Sequence, residues 1–253
     1  MTATITDIEL SAPVNLRDLG GIPVEGGLLR NGLALRADDL SVITDEDARI
    51  LVEGGLAAVI DLRTKDEAAL TGRGPLAGYP VAYHHLPLME SISAGMPDGD
   101  APVIEHVAMG MMYARMVEAA APQLASALGI IALAPGTTAF HCAAGRDRTG
   151  VLAAMLLLAL GATDDDIVAD YARTHGNMAA VMQRMKPTMG ALMARLGFDL
   201  DAMAVTFPDE PMDISMHTML ARLRERHGDA LAPLRAAGLG ADTIARLRHR
   251  ALA

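Results

Sequence analysis

The stretch Gly136-Thr-Thr-Ala-Phe-His-Cys142 runs directly into Ala143-Ala-Gly-Arg-Asp147, and the apolar run 148–160 follows. The first part is short and apolar, which predicts a buried strand. The last part is a longer apolar run without proline, which predicts a helix. A glycine-containing loop therefore connects a buried strand to a helix, and it contains the single cysteine of the chain.

The loop 142–148, called the anion loop below, has the geometry of a site for a negatively charged group. A short loop that closes onto a helix N-terminus points several backbone N–H groups at one spot, and the helix dipole adds partial positive charge there. Gly145 allows the backbone to turn tightly. We expect the anion to be bound at Ala143, Ala144, Gly145, Arg146 and Thr149.

Cys142 and Arg148 are separated by five residues, a spacing that suits nucleophilic chemistry on a phosphate ester. The positive field of the loop favours the thiolate of Cys142, which is a nucleophile at neutral pH. The guanidinium of Arg148 can donate two parallel hydrogen bonds to phosphate oxygens. The hydroxyl of Thr149 can donate a hydrogen bond to the sulfur. Because amides and arginine meet the phosphate charge, we expect no metal and no cofactor.

The ten residues His141-Cys-Ala-Ala-Gly-Arg-Asp-Arg-Thr-Gly150 resemble the signature of the bacterial atypical protein-tyrosine phosphatases of the mycobacterial B type. Three other stretches resemble the same family in the right order: Asn15-Leu-Arg-Asp-Leu-Gly-Gly21, Asp61-Leu-Arg-Thr-Lys-Asp-Glu67 and Asp170-Tyr171. The resemblance spans residues 13–250, although the family usually has lysine where this chain has Arg146. It implies a cysteine-phosphatase fold with activity on phosphotyrosine and phosphoinositides.

The leaving group of such a reaction needs a proton, and two aspartates are candidates for the general acid. Asp147 lies inside the anion loop next to Arg148, and we favour it as the third catalytic residue. Asp61 follows a predicted parallel strand, where open α/β sheets place their ligands, and it stays the alternative. We expect His141 to form hydrogen bonds beneath the loop rather than to donate a proton.

Three further arginines are candidates for a supporting role: Arg17, Arg36 and Arg63. They either widen the anion site or brace the loop through Asp18 or Glu67, and we favour bracing because a single aryl phosphate needs no third arginine. Arg146 differs because its loop position directs it toward the cavity or its rim. Positive charge there would suit a substrate with more than one phosphate, such as a phosphoinositide.

The composition excludes several classes of protein. The chain has 253 residues, a net charge of −10 and 3 % aromatic residues, which disfavours nucleic-acid binding. One cysteine excludes an internal disulfide framework and a cysteine-rich zinc module. The N-terminus shows no secretory signal, and the longest apolar run, 151–160, is too short to cross a bilayer. We expect a cytoplasmic protein without a membrane segment, and export without a cleavable signal stays open.

The rest of the chain alternates between predicted strands and helices. Asn31-Gly32 predicts a hairpin over 28–36. Apolar runs and caps predict strands over 56–62 and 81–88 and a helix over 44–54. Two helices are predicted within 103–133, separated near Pro122. Later helices are predicted to break at Gly176, Pro187, Pro208, Gly228 and Gly238. The pattern predicts an α/β fold with a central, mainly parallel sheet flanked by helices and an additional helical C-terminal segment. We expect one phosphatase domain, 1–253, with a catalytic core over 13–175 and a helical lid with C-terminal helices over 176–253.

Five of the 17 methionines recur at helical spacing: Met178, Met182, Met185, Met189 and Met193. The spacing predicts either a core stripe on a helix pair kinked at Pro187 or an adaptable lid, because methionine repacks easily. The resemblance favours the lid, since the mycobacterial family member covers its site with mobile helices.

Together these observations predict a cysteine-dependent phosphatase that hydrolyses phosphotyrosine through a phosphocysteine and is inhibited by phosphate mimics. Phosphoserine, phosphothreonine and phosphoinositide esters are further candidate substrates. Two alternatives from other classes stay open: a rhodanese-like sulfurtransferase, whose cysteine also lies in an anion-binding loop, and a protein that binds phosphate without catalysis. The pattern of Cys142, Asp147 and Arg148 disfavours both.

Overall fold

The computed structural model describes residues 9–92, 105–195 and 211–252. Within these ranges, five strands form one sheet in the order β1 (Arg17–Asp18), β4 (Ala34–Ala37), β7 (Thr137–His141), β5 (Leu56–Asp61) and β6 (Ala82–His85). β1 pairs antiparallel with β4, and the other three pairings are parallel. The predicted α/β fold with a mainly parallel sheet is therefore confirmed.

The central strands are buried on both faces, which explains why they appear in the sequence as continuous apolar runs. Along β5 and β7, Ile60 and Phe140 face the larger hydrophobic core, while Val59 and Ala139 face a smaller one. The register places Asp61 opposite His141, at the carboxyl ends of both strands. The anion loop therefore starts at the edge of the sheet where neighbouring parallel strands also end.

Seven helices contribute to the larger core: α3 (His106–Ala119), α4 (Ala121–Leu133), α5 (Asp147–Leu160), α6 (Asp164–Ala172), α8 (Asp213–His227), α9 (Ala232–Ala236) and α10 (Ala241–Leu252). α1 (Asp45–Glu53) packs in the smaller core through Ala48. α2 (Lys65–Thr71) packs against α7 (Met178–Arg195) through Leu70, Ala191 and Leu192. The helices thus flank the sheet as predicted.

α3 and α4 meet at Ala120, and Pro122 lies in the first turn of α4, where its missing N–H costs no hydrogen bond. The predicted division of this region into two helices is confirmed. Within the described ranges, no single helix is long and apolar enough to cross a membrane, although α3 and α4 taken together reach that length and composition with a 76° bend between them.

The predicted hairpin over 28–36 is wrong. β3 (Gly27–Leu28) pairs instead with β2 (Pro23–Val24), while β4 pairs with β1 and β7. The Asn31-Gly32 turn therefore connects two different sheets, with Gly32 at φ +74° and its N–H bonded to Asp18 Oδ2 at 2.7 Å. The exposed β3 has little to bury, whereas the apolar β4 gains more from the central sheet.

Pro187 does not break its helix, since α7 continues through it. Pro187 and Gln183 are both exposed, so the carbonyl that loses its partner can bind water. The methionine stripe is mixed in exposure: Met193 is buried, Met178 and Met189 pack against hydrophobic clusters, and Met182 is 50 % exposed. The core and lid interpretations of the stripe both stay predictions. The predicted breaks at Gly176, Gly228 and Gly238 are confirmed, and Pro208 lies outside the described residues.

Candidate active site

The anion loop connects β7 to the N-terminus of α5, and Gly145 fixes its shape. Gly145 has φ +67°, and a Cβ at this position would lie 2.6 Å from the carbonyl oxygen of Ala37. Glycine is therefore required by both the left-handed backbone and the close approach of β4. As a result, the loop folds tightly against the end of the sheet.

Two side chains hold the carbonyl groups of the anion loop. Asn15 Nδ2 donates to the carbonyl oxygens of Ala144 and Gly145, at 3.2 Å each, and Arg36 Nη2 donates to Gly145 at 2.9 Å. In a trans peptide the carbonyl and the following N–H point to opposite sides. The N–H groups of Gly145 and Arg146 therefore point away from this brace, where they can bind an anion.

The brace is completed by a buried carboxylate on α6. Asp170 is paired with Arg36 Nη1 and with Arg17 Nε, the latter at 2.9 Å. Burial opposes its ionisation, but Arg36 and Arg17 outweigh burial and keep the pKa of Asp170 below its ordinary value. Arg17 also donates to Asn15 Oδ1 at 2.7 Å, so one network holds the N-terminal segment, β4 and α6 together.

The three supporting arginines all form ion pairs, but both of the partners we expected, Asp18 and Glu67, are wrong. Arg17 and Arg36 bind Asp170, and Arg63 binds Asp61 and Asp39. Asp18 instead accepts the backbone N–H groups of Gly20 and Gly32 and orders the turn after β1. The carboxylate of Glu67 binds Arg148.

Cys142 is the buried free thiol at the base of the loop, with 1 % of its surface exposed. Thr149 Oγ1 donates a hydrogen bond to its sulfur at 3.2 Å, as predicted. Thr149 lies in the first turn of α5, so the same helix N-terminus delivers both its dipole and this hydroxyl to the sulfur.

Arg148 is buried in the first turn of α5. We expected its guanidinium to be directed at a phosphate, but its two terminal nitrogens bind a carboxylate of the protein. Nη1 and Nη2 donate to the carboxylate of Glu67 at 2.5 and 3.0 Å. These bonds use two of the five N–H groups of a guanidinium, so a phosphate would be met by the remaining ones. Burial alone would lower the pKa of Arg148, but Glu67 and Cys142 nearby hold it above the ordinary value.

Glu67 is positioned by the N-terminus of α2. Thr64 caps this helix, and its backbone N–H donates to Glu67 Oε2 at 2.7 Å in a capping box. Burial opposes ionisation of Glu67, but Arg148 outweighs burial and lowers the pKa of the carboxyl. This capping box thus also orients the Glu67 carboxylate that binds Arg148.

Asp61 lies at the end of β5, but its carboxylate is fully buried. Arg63 Nη2 binds it at 2.6 Å, the hydroxyl of Tyr83 at 2.8 Å, and His141 Nε2 lies 3.8 Å away. Burial opposes ionisation, yet His141 and Arg63 outweigh burial and hold the pKa of Asp61 well below its ordinary value. An ionised, enclosed carboxylate has neither a proton to donate nor access to a substrate.

Asp147 is the more accessible of the two candidate acids, with 31 % of its side chain exposed. The hydroxyl of Tyr113 donates a hydrogen bond to its Oδ1. The Nε of Arg146 lies 3.8 Å from the same oxygen. This residue belongs to the anion loop and is the first residue of α5.

Arg146 does not reach the rim of the site, contrary to our expectation. Its residue is 3 % exposed, and its guanidinium donates to the hydroxyl of Tyr171 at 3.4 Å and to the sulfur of Met109 at 3.3 Å. Burial opposes its charge, but Asp147 together with Tyr171 and Tyr113 outweighs burial and raises the pKa of Arg146. The side chain is turned into the space between α3 and α6.

His141 lies beneath the loop, as predicted. It is 2 % exposed, and the backbone N–H of Leu40 donates to its Nδ1 at 3.3 Å. Burial lowers the pKa of its imidazole below the ordinary value, although Asp61 and Asp39 nearby oppose this shift. The buried ring packs at the end of β7.

Sequence reasoning missed two residues that contact the site, Tyr113 and Asn15. Asn15 belongs to a family-like stretch, so its position carried a signal, but the loop carbonyls it binds are about 130 residues away in sequence. Tyr113 lies in an ordinary helical run of α3, and nothing in its spacing points to Asp147. Across the described ranges, no cluster of three or more His, Cys, Asp or Glu side chains has the arrangement of a metal site.

Comparisons with known proteins agree with this geometry. The model of the tyrosine phosphatase family matches residues 8–253. A Cupriavidus necator protein assigned by name to the tyrosine-protein phosphatases is 34 % identical over 201 residues, covering 76 % of this chain and 70 % of that protein. The triple specificity protein phosphatase PtpB of Mycobacterium tuberculosis is 27 % identical, covering 95 % and 97 %.

The crystal structure of P. aeruginosa TpbA in complex with pTyr matches with a TM-score of 0.31 and 14 % identity, covering 64 % of this chain and 85 % of that chain. The family model spans nearly the whole chain and includes the anion loop. The chain therefore belongs to the tyrosine phosphatase family and is a hydrolase of phosphoric monoesters.

Proposed function

We propose that this chain hydrolyses phosphotyrosine esters through a phosphocysteine formed on Cys142. The observation that carries the proposal is the hydrogen bond from Thr149 Oγ1 to the Cys142 sulfur, at 3.2 Å, beneath a loop that ends in Arg148. A hydroxyl that donates to the sulfur, a helix N-terminus and a nearby guanidinium all stabilise the thiolate. The same groups bind phosphate oxygens, so nucleophile and substrate meet at one point.

The reaction has two balanced steps. In the first, the Cys142 thiolate attacks phosphorus, an S–P bond forms, the bond to the ester oxygen breaks, and Asp147 gives its proton to that oxygen. In the second, water attacks phosphorus, Asp147 takes the proton of the water, and the S–P bond breaks to restore the thiolate and release phosphate. Loop amides and Arg148 stabilise the equatorial oxygens in both steps.

Asp147 is the proposed acid because of its access and its partners. Asp61 is enclosed and ion-paired with Arg63, whereas Asp147 has 31 % of its side chain exposed. Its position directly before Arg148 places both side chains in the first turn of α5. This arrangement supports Asp147 and gives Asp61 a structural role.

Phosphotyrosine is the proposed principal substrate because the sulfur is buried. With Cys142 1 % exposed, an aryl phosphate, which projects farther from its peptide than an alkyl phosphate, suits the site better. Phosphoserine, phosphothreonine and phosphoinositide esters are secondary candidates, supported by the relative named for triple specificity. The burial of Arg146 removes the rim charge from which a phosphoinositide preference was predicted.

We propose that the whole chain forms one catalytic domain. Met216 of α8, Leu234 of α9 and Leu247 of α10 lie in the same hydrophobic core as Val151 of α5, which supports this view. α7 differs because Met189 and Thr188 line a small cavity together with Ala143 of the anion loop, so this helix is the candidate lid. The reaction needs no metal or cofactor, and a reducing cytoplasmic location suits its thiol.

The test is turnover of p-nitrophenyl phosphate in the presence of EDTA. We expect the wild type to be active and Cys142→Ser to lose at least about 10³-fold in kcat, because the nucleophile is removed. Acid quenching during turnover should add the mass of one phosphoryl group to the peptide that contains Cys142. Orthovanadate, a phosphate mimic, should inhibit competitively.

An inactive wild type, or a Cys142→Ser variant with full activity, would show that the mechanism is wrong. A parallel panel of a phosphotyrosine peptide, a phosphoserine peptide and phosphoinositide vesicles tests the substrate preference. We expect the highest kcat/KM for the phosphotyrosine peptide. A higher value for the vesicles would overturn the argument from the buried sulfur.

A further inference from the structure

A chain of three hydrogen bonds connects Arg146 to Asp147 through two buried tyrosines. The Nε of Arg146 lies 3.4 Å from the hydroxyl of Tyr171, this hydroxyl lies 2.9 Å from that of Tyr113, and Tyr113 is bonded to Asp147 Oδ1. Both tyrosines are at most 1 % exposed, and their rings pack edge to face at 6.2 Å. The chain is therefore held rigidly between α3 and α6.

The chemistry of the groups fixes the direction of this chain. A guanidinium can only donate, and Tyr113 donates its hydroxyl to Oδ1 of Asp147, an oxygen that can only accept when the carboxylate is ionised. Each hydroxyl has one proton, so Tyr113 donates to Asp147 and Tyr171 must donate to Tyr113. Tyr171 then accepts from Arg146. Every donor points from the cation toward the carboxyl group, which is the arrangement that polarises successive hydrogen bonds in the same sense.

We propose that Tyr113 and, through it, Tyr171 and Arg146 position Asp147 as the general acid. This inference rests on the proposed function. With Oδ1 fixed as the acceptor of Tyr113, the transferable proton of Asp147 resides on Oδ2, the oxygen left free for a substrate. As the proton leaves, negative charge develops on Asp147, and the bond from Tyr113 strengthens. The chain thus stabilises the acid most when proton transfer is advanced.

The buried environment of Tyr113 suits a donor that keeps its proton. Burial and the nearby Asp147 carboxylate raise the pKa of Tyr113 well above its ordinary value. The hydroxyl therefore stays protonated throughout turnover and does not compete with Asp147 for the substrate. Tyr113 acts as a positioning residue, while Asp147 is the group that touches the leaving oxygen.

The chain offers a matched control for this inference. Tyr83 also donates its hydroxyl to an aspartate, Asp61, at 2.8 Å. Tyr83→Phe and Tyr113→Phe therefore remove the same atom and the same type of hydrogen bond at two different aspartates. The variable to measure is kcat/KM across aryl phosphates, from p-nitrophenol as a good leaving group to phenol as a poor one, because kcat/KM reports the step in which the leaving group departs.

For Tyr113→Phe we expect kcat/KM to fall about 10- to 100-fold with phenyl phosphate and less than about threefold with p-nitrophenyl phosphate, because a poor leaving group depends on the acid. Tyr83→Phe should leave the ratio of the two rates unchanged. Tyr171→Phe should change the ratio in the same direction by a smaller factor. This last variant keeps the inference testable if Tyr113→Phe does not fold.

An equal loss on both substrates in Tyr113→Phe would assign Tyr113 a merely structural role and overturn the inference. If Tyr113→Phe does not fold, an unchanged ratio of the two rates in Tyr171→Phe would also overturn the inference. Asp147→Asn separates this outcome from failure of the proposed function. If Asp147→Asn loses activity selectively with phenyl phosphate while Tyr113→Phe does not, Asp147 is still the general acid, but the tyrosine chain does not position it. If Asp147→Asn shows no selectivity, the acid itself is wrong.

Discussion

Asp61 and Asp147 are two aspartates beside the same anion loop, and each accepts a hydrogen bond from a tyrosine hydroxyl. Their surroundings differ in exposure and in the distance to the nearest arginine, which is Arg63 for Asp61 and Arg146, at 3.8 Å, for Asp147. Asp61 is fully buried and paired with Arg63 at 2.6 Å, whereas Asp147 has 31 % of its side chain exposed. The comparison shows that access and cationic pairing, more than the identity of the residue or its hydrogen bond, decide which carboxyl group can act as an acid.

The largest expected effect that tests this comparison is on catalysis. Asp147→Asn should lower kcat for a phosphotyrosine peptide by about 10²-fold or more, because general acid catalysis contributes about 10²- to 10⁴-fold. Asp61→Asn should lower it by less than about tenfold, since its effect is indirect. Steady-state kinetics of both variants across pH would measure this difference. The basic limb of the rate profile should flatten for Asp147→Asn, and flattening in Asp61→Asn instead would reverse the two roles.

The next largest expected effect is on the free energy of unfolding. Here Asp61→Asn should have a larger effect than Asp147→Asn. Asp61→Asn leaves the buried guanidinium of Arg63 with less compensation, and breaking a buried ion pair costs about 3–5 kcal/mol. Asp147→Asn keeps a partly exposed amide in place of a carboxylate and should cost only about 1 kcal/mol. Urea unfolding of both variants measures the free energy of unfolding. Equal destabilisation would show that Asp61 is not the structural member of the pair.

The smallest expected effect is the pH dependence of the free energy of unfolding that arises near Asp61. His141 lies beside Asp61, and its folded pKa lies below the ordinary 6.5. The unfolded chain therefore binds more protons below pH 6.5, and this contribution to stability is lost as pH falls. We expect a slope of at most about 1.4 kcal/mol per pH unit from this group.

Urea unfolding at several pH values below neutrality provides the measurement. His141→Gln should flatten the slope, whereas the same change at the exposed His217 of α8 should preserve it. If the pH dependence of stability is unchanged in His141→Gln, it belongs to groups other than His141. The buried carboxyl groups Glu67 and Asp170 are candidates at lower pH, because their pKa values lie below the ordinary value.

Local patterns predicted the parts of the fold that local energetics control. β7, α5 and the loop between them have apolar periodicity and a glycine requirement that act over a few residues, and both are found as expected. The hairpin at Asn31-Gly32 failed because a turn signal does not say which partner each flanking strand will choose. Pro187 does not break the helix, and both Pro187 and Gln183, four residues before it, lie on an exposed part of α7, where water can replace the lost hydrogen bond.

In the candidate site, too, the sequence predicted what short-range effects control and missed what distant segments control. Cys142, Thr149 and Arg148 were identified from spacing, because a loop and the first turn of a helix fix their mutual positions within eight residues. Glu67 as the partner of Arg148 and Asp170 as the partner of Arg17 and Arg36 could not be identified, since these pairs join segments 81 to 153 residues apart. Arg146 was misplaced because its direction depends on the space between α3 and α6.

The order of residues 136–160 alone determines the position of the proposed nucleophile, the anion loop and the helix that supports it, since strand burial, glycine freedom and the helix dipole are short-range effects. The folded chain settles which aspartate remains accessible and which tyrosine binds it. That choice depends on burial and charge contributed by α3, α6 and the neighbouring strands, which lie far away in sequence. Protonation and access are properties of an environment, and the environment exists only once those distant segments have packed together.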